Sequence, residues 1–283
     1  CKEGESMRQK KKLKIYGAIR IVLCLLVLFL IVFPFVWLIL STFKLQKDII
    51  KWPPTSWPKA WTIKNYIKVW SRIPLASYIK NTIIFAGAVS VSSAMLDSLA
   101  GYAFARLEFK GQEIIFNIVL LTMLIPFQII MIPLYLEEFN LKILNTYLGL
   151  ILPRTASAYG IYMLTSFFSG VPKSLDEAAR IDGMKEFQIY SRIIAPLAKP
   201  AFVTLGIYHF MNNWNDLLYP MMLTSSVDMR TLSAGLAILV GSNSIKFGPT
   251  LAATVISVAP LLILFLFGQK FFMEGIATSG MKE

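Results

Sequence analysis

The chain has 283 residues, of which 56% are hydrophobic and only 16% charged, with a mean hydropathy of +0.62. A soluble domain carries about a quarter charged residues, so this composition excludes an ordinary soluble globule and predicts an all-α polytopic membrane protein. The net charge of +12 does not call for nucleic acid, because much of it flanks apolar segments, where anionic lipid headgroups supply the counter-charge. Two cysteines, Cys1 and Cys24, and a single His209 build no disulfide framework and no metal-ligand set.

In chain order, Arg8, Lys10, Lys11, Lys12 and Lys14 form a basic cluster within residues 1–20, and Met7 can serve as a start. An uncharged run, Ile21 to Phe43, follows. It is long enough to cross a hydrocarbon core of about 30 Å, and its basic flank predicts a cytoplasmic N-terminus. Lys44 to Ser77 carries Trp52, Trp57, Trp61 and Trp70 and reads as a segment lying along the outer interface. Tyr78 to Ala105 is the second expected span. Ala86, Ser90, Ala94 and Ser98 recur every four residues along it, a small-residue stripe that lets helices approach closely. Ile114 to Leu136 is the third span, with Pro126, Gln128 and Pro133. Asn145 to Phe168 is the fourth, interrupted by Pro153 and Arg154. Ala201 to Leu223 is the fifth and contains Asn212-Asn213-Trp214-Asn215-Asp216. Leu251 to Phe267 is the sixth. A six-helix domain over 21–272 and a cytoplasmic tail over 273–283 complete the expected organisation.

Between the fourth and fifth spans lies a polar, helix-prone stretch, SLDEAARIDGMKEFQIYSRIIAPLAKP, within 173–200. Ser174 and Glu177 have the spacing of a capping box. Ala178 and Ala179 favour helix and leave room for a neighbouring surface, and Gly183 suits a left-handed stop. A second helix is expected from about Lys185 until Pro196 and Pro200 end it.

Glu177-Ala178-Ala179, then Asp182-Gly183, Ile193 and Pro196, resembles the EAA signature of ABC importer permeases. YHFMNNWNDLLYP and FFMEGIATSGMKE look like the maltose-type carbohydrate permeases within that group. The resemblance implies a cytoplasmic coupling helix, with Glu177, Ala178, Ala179, Asp182 and Gly183 as the positions that dock on an ATPase. It also implies a second homologous permease subunit, two ATPase subunits that bind ATP and Mg, and an extracellular sugar-binding protein that touches the loop around Ser233 to Phe247. The tail would meet the ATPases. No cofactor is expected on the chain itself, which would sit in a bacterial or archaeal inner membrane with both termini cytoplasmic.

Ionisable and amide groups within spans are candidates for the substrate path: Asn212, Asn213, Trp214, Asn215, Asp216, Arg154, Asp97 and Gln128. Amides and carboxylates suit sugar hydroxyls, and Trp214 offers a face for a pyranose ring. The alternative for Asn212 to Asp216 is a helix break or bonding to a neighbouring helix. At 1.5 Å per residue, Asp97 is expected about 27 Å below the outer end of its helix and Arg154 about 13 Å below its own. That offset predicts no direct pair: Asp97 bonds within the bundle, and Arg154 faces a wet cavity.

No GxxxxGK[ST] loop and no GxSxG elbow occurs in the sequence, so no ATPase or hydrolase is expected on this chain. Three other readings remain at this point. One is the same machine for a solute such as a glycerol-phosphate compound, drawing on Arg154. The second is an ion-coupled secondary transporter using Asp97 or Asp216, and the third is a structural subunit without a solute path.

Overall fold

Long apolar runs have no water to satisfy their backbone, so they close their hydrogen bonds internally as helices. The computed structural model describes residues 2–241 and 247–279, and those residues form helices and turns with no strand. By contacts, the chain forms two units, residues 1–72 with 244–256 and residues 73–243 with 257–283. The expected contacts of residues 242–246 with a binding protein, and the tail beyond Ser279, lie outside the described residues, as does Cys1.

In the first unit, α1 (Lys2–Thr42) contains the apolar stretch Tyr16–Thr42, enough to cross a membrane. The chain then turns, and the short amphipathic α2 (Lys64–Arg72) is tied back by Asn65. Its amide donates to the carbonyls of Thr42 and Lys44 at 2.7 and 3.0 Å, which would otherwise be orphaned at a helix end. The Lys44 ammonium donates to Thr55 O at 2.6 Å and lies 4.1 Å from the Trp37 ring centre. Burial pushes the Lys44 ammonium below its usual range. Trp52, Trp57, Trp61 and Trp70 are exposed, as an interfacial segment requires.

The second unit is built on α3 (Leu75–Arg106), a 32-residue helix. Two shorter helices follow, α4 (Gln112–Thr122) and α5 (Phe127–Asn140), bent by 98° at a break that ends in Pro126. The expected fourth span is divided. A short turn at Tyr147–Ile151 and a tighter one at Leu152–Arg154 precede α6 (Ala158–Ser169). Pro153 disrupts the ladder there, and Ser157 restarts it as a helix cap by accepting from Gly160 N–H at 2.9 Å. Then come α7 (Ser174–Ile181), α8 (Glu186–Ile189) with a π-helical turn over Tyr190–Ile194, and α9 (Lys199–Asn215). The segments Glu186–Leu197 and Lys199–Asn215 meet at 78°. The last helices are α10 (Leu218–Leu223), α11 (Leu232–Gly241) and α12 (Phe247–Ser279), of which residues 257–279 belong to this unit. Among the described residues, three helices are long and apolar enough to cross a membrane, or up to five if each bent pair is one span. Helix α3 packs chiefly on α6 and α9. One apolar core joins Tyr102, Leu164, Phe168, Leu205 and Ile194 with Ala179 of α7.

Candidate functional site

The polar stretch forms a helical corner. Helix α7 begins at Ser174, so this serine is inside the helix and Lys173 is the cap, with no side-chain bond. The Ser174–Glu177 capping box expected from spacing is therefore not formed. Gly183 does what its lack of Cβ allows: φ is +79°. Its N–H donates to Arg180 O and Met184 N–H to Ala179 O, both at 3.0 Å. This pair of bonds is a Schellman stop, which satisfies carbonyls that would be orphaned at the helix end. The second helix starts where expected, with Lys185 N–H donating to Gln188 Oε1 at 2.8 Å.

The two alanines divide their work. Ala179 is buried in the shared core, whereas Ala178, Glu177, Asp182 and Gly183 are exposed. Ile181 beside them is 86% exposed and Phe187 is also exposed, a large apolar surface on an otherwise polar corner.

Three side chains of α3, each one helical turn from the next, grip this corner. Ser98 Oγ lies 2.7 Å from Tyr190 Oη. Tyr102 Oη donates to Glu186 Oε2 at 2.9 Å. The Arg106 guanidinium lies 3.3 Å from Asp176 Oδ2, with side chains only 1% and 4% exposed, and also donates to Val171 O at 2.7 Å. The exposed Arg180 donates to Glu186 Oε1 at 2.8 Å. That bond holds the Glu186 carboxyl below its usual range and the Arg180 guanidinium above its own. Sequence reasoning missed Tyr102, Arg106, Asp176 and Glu186 as a set. The signal was present: the every-four register of Ala86, Ser90, Ala94 and Ser98 continues through Tyr102 and Arg106.

The polar residues of the spans fall into two adjoining clusters. In one, Asp97 is fully buried on α3 and accepts from Ser157 N–H at 2.7 Å and Ser157 Oγ–H at 2.9 Å. His209 Nε2 of α9 lies 3.4 Å from Asp97 Oδ2 and 3.3 Å from Ser157 Oγ. Gly160 is required here, because a Cβ at that position would collide with the Asp97 carboxylate. In the other cluster, Arg154 Nη2 meets Asp216 Oδ2 at 2.6 Å, and Nη1 donates to Asn213 Oδ1 at 2.9 Å. The guanidinium carbon lies 4.0 Å from the Tyr219 ring centre.

Among the described ion pairs, none joins Asp97 to Arg154, but the offset that argued against such a pair is smaller than expected. Ser93 Oγ–H donates to Arg154 O at 3.0 Å, which sets the Arg154 backbone one turn of α3, about 6 Å, from Asp97. The break at Pro153 causes this, since depth cannot be counted along a helix that is not continuous. Asn213 is buried and donates to His209 O. Asn212 and Asn215 are exposed, Asn215 donating to Met211 O. Gln128 is exposed on α5. Trp214 does not offer a face to a sugar. It is 1% exposed, stacks on Phe210, and donates from Nε1 to Ser257 O at 3.0 Å. A cavity of about 250 Å³ lies beside these clusters, with Arg154, Ser157, Tyr159, Tyr208, His209 and Asn212 in its wall.

Helices long and apolar enough to cross a membrane, and a cavity with polar side chains in its wall, define a multi-pass membrane protein of the all-α class. Residues 97–276 match the family described as "Binding-protein-dependent transport system inner membrane component". The chain belongs to this family and is a membrane permease subunit of an ABC importer rather than an enzyme. It is 34% identical to the arabinooligosaccharide transport system permease AraQ of Halalkalibacterium halodurans, over 90% of this chain and 92% of that one. It is also 34% identical to the trehalose/maltose transport system permease MalG of Thermococcus litoralis, over 96% and 97%. Among solved structures, a chain of a bacterial ABC transporter that imports the acidic polysaccharide alginate shares its fold. That match has a TM-score of 0.79 and 23% identity, and covers 92% of this chain and 97% of the other.

Proposed function

We propose that this permease takes up sugars or oligosaccharides by alternating access, driven by two separate ATPase subunits and supplied by an extracellular sugar-binding protein. The chain crosses the membrane six times, counting the broken segment from Tyr147 to Ser169 as one crossing, and both termini are cytoplasmic. It pairs with a second homologous permease, and ATP and Mg are held by the ATPases. The observation that carries this reading is the corner at Gly183. It presents Glu177, Ala178, Ile181 and Asp182 outward, while Ala179, Asp176 and Glu186 fasten its inner side to the helix that also holds Asp97. A push on the exposed side is thereby passed into the helical unit. Asn212, Asn213, Asp216 and Arg154 line or border the solute path. The substrates in the relatives' names, arabinooligosaccharides and trehalose/maltose, support sugar over a glycerol-phosphate compound. Nothing in the corner is needed by an ion-coupled secondary transporter.

The test is co-purification from mild detergent of wild type, Glu177→Lys and Gly183→Trp, with ATP hydrolysis measured on what is recovered. An ATPase and a second permease should accompany the wild type, and the variants should lose the ATPase or its coupling. Recovery of the wild type alone, or normal coupling in both variants, would refute the reading.

A further inference from the structure

The cavity beside Arg154 contains two tyrosines that the solute path described above does not use. Tyr159 stands on the first turn of α6 and Tyr208 on the facing stretch of α9. Their ring centres are 4.4 Å apart at 37°, and both rings are more than a third exposed. Neither hydroxyl has a protein partner among the described residues, and neither does the exposed amide of Asn212 in the same wall. Two adjacent amphipathic rings with unused hydroxyls, beside a free amide, offer an apolar face and several donors and acceptors to one ligand. Trp214 is packed away and leaves this role to the tyrosines.

The charges of the wall are already matched. Arg154 is the sole Lys or Arg among the described residues that line the cavity. Its guanidinium is taken up by Asp216 at 2.6 Å, Asn213 at 2.9 Å and the Tyr219 ring. His209 is set against Asp97. A carboxylate or phosphate entering here would lose its hydration, gain no free cation and lie close to two acidic side chains. A neutral polyol loses less on entry and can bond to the free groups.

We propose that this cavity is a subsite for one ring of a neutral saccharide, packed against the open side of the Tyr159–Tyr208 pair and hydrogen-bonded through Asn212 and the tyrosine hydroxyls, from which the Arg154–Asp216 pair excludes anionic sugars. The proposal rests on the sugar-uptake reading and gives this subunit its own contact with the cargo.

Two measurements separate the proposal from that reading. The first is uptake of radiolabelled arabinotriose, maltose, trehalose and lactose by the complete transporter with its binding protein in proteoliposomes; uptake of none of them would overturn both. The second is saturation-transfer NMR on the complete transporter without binding protein, using the neutral sugar that is taken up and a digalacturonate of similar size. Saturation should reach the ring protons of the neutral sugar and not the uronate. It should weaken about threefold in the double Tyr159→Phe/Tyr208→Phe variant, which keeps the rings and loses the hydroxyl bonds, and about tenfold or more in Tyr159→Ala/Tyr208→Ala. Asp216→Asn, which frees the guanidinium, should admit the uronate. Uptake with unchanged saturation in the alanine variant, or equal saturation of both sugars in the wild type, would overturn the subsite and leave the sugar-uptake reading standing.

Discussion

Replacing Asp176 with alanine should loosen the hold of the long helix α3 on the exposed corner without touching the corner's outer surface. Arg106 and Asp176 are both nearly inaccessible and lie 3.3 Å apart. At an effective dielectric constant of about 20, their gross attraction is about 5 kcal/mol. Desolvation of both groups offsets much of this. The geometry is also imperfect, because Arg106 Nε and Nη1 and Asp176 Oδ1 make no hydrogen bond. The pair is therefore worth little against a well-packed apolar pair, but removing one member strands the other as a buried charge, at about 3–5 kcal/mol. The imperfect geometry argues for the lower end, about 3 kcal/mol. The double variant Arg106→Met/Asp176→Leu should recover most of that loss. Thermal melting of the purified complex would measure stability, and sugar moved per ATP hydrolysed would measure coupling. Asp176→Ala should lower both, and the double variant should restore stability more than coupling. If Asp176→Ala melts within the error of wild type, or if the two single losses simply add in the double variant, the pair does not fasten the corner.

Three more outcomes follow from particular residues. Gly183→Ala should destabilise the corner by about 1–2 kcal/mol, because φ is +79° with open space around it; melting of the variant checks this, and an unchanged melt would mean that the turn can relax. Gly160→Ala should cost more, about 3 kcal/mol, since its methyl displaces the Asp97 carboxylate from Ser157 and leaves a buried charge short of partners; equal losses at the two glycines would contradict this. The Arg180 bond lowers the Glu186 pKa, so its contribution is present above the ordinary carboxylate value of about 4.3 and is lost as pH falls through the lowered folded value. The melting difference between wild type and Glu186→Gln should stay constant from pH 8 to 6 and shrink only in acid. A difference that shrank between pH 8 and 6 would exclude Glu186 as its source.

The sequence by itself determined the class, because composition and uncharged runs leave no alternative to membrane helices, and backbone groups in lipid must bond within their own segment. It also determined the corner. Gly183 is the residue there that tolerates positive φ at no steric cost, and the pattern from Glu177 to Asp182 is local enough to read directly. The capping box failed for a local reason: Lys173 takes the cap position and shifts Ser174 one residue into the helix. Tertiary structure decided the rest. Whether Trp214 faced a sugar or the core depended on where Phe210 and the Ser257 carbonyl came to lie. Which acid met Arg154 depended on the break at Pro153, which brought residues from three helices together in a way that counting along one helix cannot anticipate. The grip of Ser98, Tyr102 and Arg106 had its periodicity in the sequence, but its partners Tyr190, Glu186 and Asp176 lie some 70 to 90 residues away. Periodicity shows which side chains share a helix face, while packing against distant segments decides what that face meets.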